Sequence, residues 1–257
     1  MSCGISVISE RTSVAGRHEA ELRRSLARLA RSERGPEMVR QLLYAAEFRG
    51  VEMGPHLERM SRYCELLGRR LGLADERCEL IRTASLLHDI GKIGIPDRIL
   101  LKPGPLSARE RRLMEQHAEI GHRMLAGSRS ELLELAATIA WTHHERFDGT
   151  GYPRGLAQEA IPLEGRIASV ADVFDALTSE RVYRPAFSLE EALETIGDGR
   201  ATHFDPSILD VFLASLPEVV AIKEQRGADG SVDETGPRLR GVADKGVRRP
   251  SLGVIAV

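Results

Sequence analysis

The sequence predicts an all-α protein, and three observations lead there. Apolar residues recur with a period near 3.6 through most of the chain, as far as about residue 216. No stretch alternates apolar and polar residues with the period of two that a half-buried strand needs. Aromatic residues make up 4% of the chain, which argues against a β-sandwich.

The elements follow in chain order. A first helical segment over 16–34 places Leu22, Leu26 and Leu29 on one face, with arginine and glutamate on the other. It reads either as a dimerisation helix or as a solvated cap. Gly35-Pro36 punctuates the chain, and a second helix covers about 36–48. Amphipathic stretches then run over about 55–71, 75–89, 107–125, 130–145, 163–178, 188–196 and 205–216. After Ile222 the pattern stops. "KEQRGADGSVDETGPRLRGVADKGVRRPSLG" mixes glycine with both charge signs and has no aromatic residue, so it buries too little apolar surface to offset the entropy of ordering. The expected division is a short helical segment over 1–35, one domain over 36–215 and a mostly disordered tail over 216–257.

Composition narrows the function. A net charge of -2 at pH 7 excludes a strongly basic binder of nucleic-acid polymers. Cys3, Cys64 and Cys78 form no CxxC, so free thiols in a reducing cytoplasm are expected. The N-terminus lacks the apolar core of a signal peptide, and no apolar run approaches the roughly 20 residues that span a bilayer. A soluble cytoplasmic protein with no membrane association is the expectation.

Helix faces select the candidate chemistry. Over 55–71 the apolar positions are Met60, Tyr63, Cys64, Leu67 and Leu71, and His56 lies one turn before Met60. Over 130–145 the stripe is Leu132, Leu133, Ala136, Ile139 and Ala140; His143 and His144 follow the last two at i+4. Asp172 sits in "GRIASVADVFDALTS", with Ala168 four residues before it and Asp175 three after. His117 follows Leu113 and Met114 by about one turn, and His88-Asp89 close the apolar run of "LLHDIGKIGIPD". Each alone also reads as a hydrogen-bonded core residue. Burying all of them without partners costs roughly several kcal/mol each. Imidazole and carboxylate are also the donors that borderline divalent ions such as Zn, Fe, Mn or Co accept. Seven donors exceed what one tetrahedral zinc takes, so two metals sharing a carboxylate fit, with Asp89 beside His88 the best bridge.

Two loops flank these residues. Gly91 ends the His88 helix, where left-handed backbone is expected. "ERFDGTGYP" follows His143-His144, with Asp148-Gly149 and Gly151 turning and Pro153 fixing the exit. It reads as a surface loop or as a loop held against a pocket.

"HDIGKIGIPD", "HHERFDGTGYP" and "ADVFDALTSERVYR" resemble, in order, the defining motifs of the HD-GYP domain, a subgroup of the HD metal-dependent phosphohydrolases. "LLKPGPLS", His117 with Gly121, and "HFDP" at 203–206 support the resemblance, which covers about 36–215. It implies an HD-type helical bundle with a metal centre in its core and the Gly151-Tyr152-Pro153 loop beside it. It implies hydrolysis of cyclic di-GMP to pGpG and on to GMP, in bacterial signalling.

By resemblance, the metal ligands are His56, His88, Asp89, His117, His143, His144 and Asp172, holding two divalent ions, with Fe or Mn favoured. Glu52 occupies the place of a ligand to a third ion, or is a solvated carboxylate. His88, Asp89 and Lys92 carry catalysis by resemblance. Lys92, Arg181, Arg184 and Tyr152 contact substrate, the two arginines at the second phosphate unless they form a solvated helix end. Gly50 and Met53 depart from the family's usual aspartate and threonine, which bears on the third ion. Two alternatives stand beside this reading. One is a hydrolase of another cyclic dinucleotide. The other is a weakly catalytic scaffold that binds a diguanylate cyclase. A homodimer is open under each.

Overall fold

The computed structural model describes residues 34–47, 54–180 and 185–225. The expected helix over 16–34 and most of the expected tail lie outside the described residues. So do Glu52, Arg181 and Arg184. Among the described residues the protein is helical, with no strand and a single bridge between Arg200 and Phe204. No helix among them is long and apolar enough to cross a membrane.

The helices are α1 (Arg34–Glu47), α2 (Pro55–Arg70), α3 (Asp75–Ser85), α4 (Asp97–Leu100), α5 (Ala108–Met114), α6 (Gln116–Leu125), α7 (Glu131–Thr142), α8 (Leu163–Thr178), α9 (Leu189–Asp198), α10 (Pro206–Ala214) and α11 (Leu216–Glu224). Short 3-10 turns occupy Ile90–Gly94 and Gln158–Ala160.

α8 is the axis of the fold. From Ile167 to Thr178 every residue is buried, as expected of a helix enclosed on all sides. α2, α7, α9 and α10 pack around it, and α3 bridges α2 and α7. Phe174 on α8 meets Tyr63 of α2 edge-on at 5.4 Å and Phe212 of α10 at 5.0 Å. Two polar residues of α8, Asp172 and Asp175, are therefore carried into the core one turn apart.

Four expected boundaries are corrected. The helix over 75–89 ends at Ser85, because the His88 backbone N–H and ring Nδ1 both take the Ser85 carbonyl, at 3.2 and 2.9 Å. The helix over 107–125 is two, meeting at Glu115, whose dihedrals stay helical (φ -57°, ψ -23°). The apolar period therefore runs through the junction unmarked. The helix over 130–145 ends at Thr142, with His143 as its C-cap. Packed helix continues past residue 215, where the tail is expected to begin. Pro217 in its first turn starts α11, whose Val219 and Ile222 are buried against the core.

Gly91 is also explained differently from expectation. It is not among the described glycines with positive φ. A Cβ built on it would sit 1.9 Å from the His117 carbonyl oxygen and 2.4 Å from the Gly121 nitrogen. Gly91 lets the turn after His88-Asp89 lie directly on the backbone of α6.

Candidate metal centre

The site is assembled from five places in the chain. α2 brings His56, the turn after α3 brings His88 and Asp89, and α6 brings His117. The end of α7 brings His143 and His144, and α8 brings Asp172. These seven form two groups, each with ligating atoms within 4.8 Å of one another: Asp89, His117, His143 and His144, and His56, His88 and Asp172. The structure thus brings together all seven residues that the helix faces selected.

Asp89 lies between the groups. Its Oδ1 is 3.2 Å from His117 Nε2 and 3.8 Å from His143 Nε2, while its Oδ2 is 3.3 Å from His88 Nε2. Asp172 Oδ1 is 3.8 Å from His56 Nε2 and 3.9 Å from His88 Nε2. Lys92, one turn after Asp89, donates to Asp89 Oδ2 at 2.7 Å and keeps its side chain partly exposed.

Each ring is set by the nitrogen that faces away. His88 Nδ1 donates to the Ser85 carbonyl at 2.9 Å, and His117 Nδ1 to that of Met114 at 2.8 Å. His143 Nδ1 donates to that of Ile139 at 3.0 Å. A carbonyl only accepts, so Nδ1 carries the proton and Nε2 presents its lone pair inward. These three Nε2 atoms and Asp89 Oδ1 are buried without a hydrogen-bond partner. Four unsatisfied acceptors converging in one core cost several kcal/mol unless a cation meets them. The donor set fits a divalent metal.

Three of the rings are held neutral; at His88 burial acts to lower the pKa, but the Asp89 and Asp172 carboxylates raise it above its ordinary value. Burial pushes His117 down to about 4, and burial followed by the charge of His88 pushes His143 down to about 3. Burial also holds His144 well below its usual range. All three are neutral near pH 7. Burial acts to raise the Asp89 carboxyl, but Lys92, then His88 and His117, hold it well below the usual carboxylate range.

The loop after α7 closes one side. Glu145, buried, accepts the backbone N–H groups of Arg154 (2.8 Å) and Leu156 (2.9 Å), folding the loop back on itself. Gly151 has no room for a Cβ, which would lie 2.3 Å from the Arg146 nitrogen. Tyr152, followed by a cis peptide to Pro153, lies against His144 at 4.7 Å and His117 at 6.3 Å. His203 and Thr202 hold the loop from outside, accepting from Phe147 and Asp148. Sequence reasoning gave no role to Glu145, Arg59 or Asp175. The signal lay in the motif "HHERFDGTGYP" for the first, and in the i+3 spacings from His56 and Asp172 for the other two.

A model of the HD domain matches residues 37–208. The chain belongs to the HD domain family. This HD domain is 46% identical over 190 residues to the cyclic di-GMP phosphodiesterase response regulator RpfG of Xanthomonas campestris pv. campestris, covering 74% of this chain and 50% of that protein. It is 42% identical over 202 residues to a cyclic di-GMP phosphodiesterase of Thermotoga maritima, covering 79% and 55%. It is also 42% identical over 191 residues to the 3'3'-cGAMP-specific phosphodiesterase 2 of Vibrio cholerae, covering 74% and 37%. The chain spans about half the length of these relatives, or less. Among solved structures, Bd1817, an HDG"Y"P protein from Bdellovibrio bacteriovorus, aligns with a TM-score of 0.51 at 20% identity, covering 63% of this chain and 51% of that one. That likeness concerns the fold.

Proposed function

We propose that this HD domain is a metal-dependent phosphodiesterase that hydrolyses cyclic di-GMP to linear pGpG, and pGpG onward to GMP. The observation that carries the reading is the convergence of His88 Nε2, Asp89 Oδ1, His117 Nε2 and His143 Nε2, buried and unpartnered, at the junction of two ligand groups. The names of the relatives supply the substrate class.

The residues for two divalent ions are Asp89, His117, His143 and His144 for one and His56, His88 and Asp172 for the other, with Asp89 reaching both. Mixed imidazole and carboxylate donors suit Fe or Mn. When bound, such ions supply Lewis acidity toward the phosphoryl group and make water available as a nucleophile near neutral pH. The protein's own part is to hold the His117, His143 and His144 rings as neutral donors and to keep Asp89 ionised. Lys92, partly exposed beside Asp89, adds positive charge where a phosphodiester oxygen would lie. Tyr152 walls the His117–His144 side. Arg181 and Arg184 take the second phosphate. Hydrolysis adds water across one P–O bond and leaves a 5'-phosphate and a free 3'-hydroxyl. A reducing cytoplasm suits both the nucleotide and the buried free thiols Cys64 and Cys78.

The likeness to a 3'3'-cGAMP-specific enzyme favours a second substrate. A panel of cyclic di-GMP and 3'3'-cGAMP with added Mn(II) or Fe(II) tests both. Turnover of cyclic di-GMP to pGpG, lost in the His88→Ala, Asp89→Ala double variant, supports the proposal. Preference for 3'3'-cGAMP would reassign the substrate, and full activity in the double variant would refute the site.

A further inference from the structure

His56 is anchored unlike the other rings. Where His88, His117 and His143 lean on backbone carbonyls three or four residues away, His56 Nδ1 donates to Asp175 Oδ2 at 2.7 Å, from α2 to α8. Asp175 is fully buried, and both its oxygens are occupied. Oδ1 accepts Arg59 Nε at 2.6 Å; Oδ2 also accepts Arg59 Nη2 at 2.8 Å and Ser179 Oγ at 3.0 Å. Arg59 Nη2 further donates to Ser179 Oγ at 2.7 Å. With four hydrogen bonds to its two oxygens, all from His56, Arg59 and Ser179, Asp175 is a positioning residue and not a ligand. Asp172, one turn earlier on α8, faces His56 and His88 instead.

Two consequences follow from this chemistry. A carboxylate on Nδ1–H makes the imidazole a stronger donor at Nε2 than a carbonyl does. The planar fork of Arg59 fixes the carboxylate's orientation, which a point charge would not. The anchor also spans two helices, so the placement of His56 relative to Asp172 depends on the docking of α2 against α8. The anchors of His117 and His143 in the other group reach only to carbonyls three or four residues back along the chain.

We propose that the Asp175–Arg59–Ser179 clasp sets how tightly a divalent cation is held by His56, His88 and Asp172, and leaves the cation held by Asp89, His117, His143 and His144 largely unaffected. This rests on the two-group reading of the metal centre given above. An isosteric Asp175→Asn replacement must turn an amide N–H either toward the Arg59 guanidinium or toward His56 Nδ1. The first loosens the clasp. The second forces the ring proton onto Nε2 and removes the ligand.

The test is an equilibrium titration of chelator-stripped full chain with Mn(II). Free Mn(II) is read by electron paramagnetic resonance, ions retained after gel filtration are counted, and circular dichroism reports the fold. Wild type is expected to take up two ions. D175N is expected to keep one at wild-type affinity and to bind the other about 10–100-fold more weakly. Asp205→Asn alters another buried carboxylate, paired with Arg166 and Ser207 away from the site, and should keep both ions. Where D175N fails to fold, Arg59→Lys decides; it keeps the charge, loses the fork and should show the same selective weakening. Two ions at wild-type affinity in the variant, or parallel loss of both, would overturn the clasp. A wild type that takes up no ion would overturn the metal centre itself, and the clasp with it.

Discussion

Replacing Gly91 with alanine probes how the site is positioned without touching a ligand. The added Cβ would meet the His117 carbonyl oxygen at 1.9 Å and the Gly121 nitrogen at 2.4 Å, both backbone atoms that no rotamer change can move. Relief to ordinary contact at 3.4 Å requires the 3-10 turn and α6 to separate by about 1.5 Å. The turn directly follows Asp89 and α6 carries His117, so the 3.2 Å approach of Asp89 Oδ1 to His117 Nε2 opens with it. Overpacking of this kind costs about 3 kcal/mol, the upper end of its range. For a domain of this size that is roughly 6–12 °C in melting temperature. Displacement of a ligand pair by 1 Å or more should also lower turnover about 100-fold. Calorimetry of the metal-free protein and steady-state kinetics of the loaded protein read the two effects. Gly197→Ala is the control: nothing lies within 4 Å of its Cβ, and as a helical position of α9 it should be neutral or more stable by up to about 1 kcal/mol. A G91A protein that melts within about 1 °C of wild type and keeps full turnover would refute the idea that close backbone approach holds the site together.

Two further outcomes follow from the buried donors. His143→Leu removes an unpartnered buried acceptor, so the metal-free variant should be more stable than wild type by about 1–3 kcal/mol while losing metal-dependent turnover; denaturant melts check it, and a destabilised variant contradicts it. Stability of the metal-free protein should fall as pH drops below about 6.5. His117, His143 and His203, held at about 4, 3 and 3, stay neutral in the folded chain while the unfolded chain takes up protons. Each such histidine contributes a slope of about 1.4 kcal/mol per pH unit, present above the unfolded value and lost as pH falls toward the folded one. Urea melts between pH 7 and pH 5 measure this, and a flat profile would contradict it.

The inward placement of His56, His117, His143 and His144 was legible because a helix face carries its own test: a histidine one turn from a buried apolar residue points the same way. His143 behind Ile139 and His56 before Met60 are examples. The helix ends were less legible. The stop at Ser85 depends on a ring N–H of His88 reaching back to a carbonyl, and the break at Glu115 keeps helical dihedrals throughout. α11 was missed because Leu216-Pro217 reads as an ending, while Val219 and Ile222 bury it only once α2 is in place. Asp175 and Arg59 were visible as residues but not as a pair, since 116 positions separate them and only the packing of α2 on α8 joins them. Gly91 was assigned the wrong reason because sequence records a missing side chain without recording what approaches it.

In the proposed site, seven side chains from five places in the chain hold two divalent ions on either side of Asp89. Anomalous diffraction from crystals soaked in Mn(II) measures this most directly. Two peaks are expected, one among Asp89, His117, His143 and His144 and one among His56, His88 and Asp172, with the Asp89 carboxylate between them. Crystals of the folded protein with no peak at either group, or with manganese bound only at surface carboxylates, would contradict it.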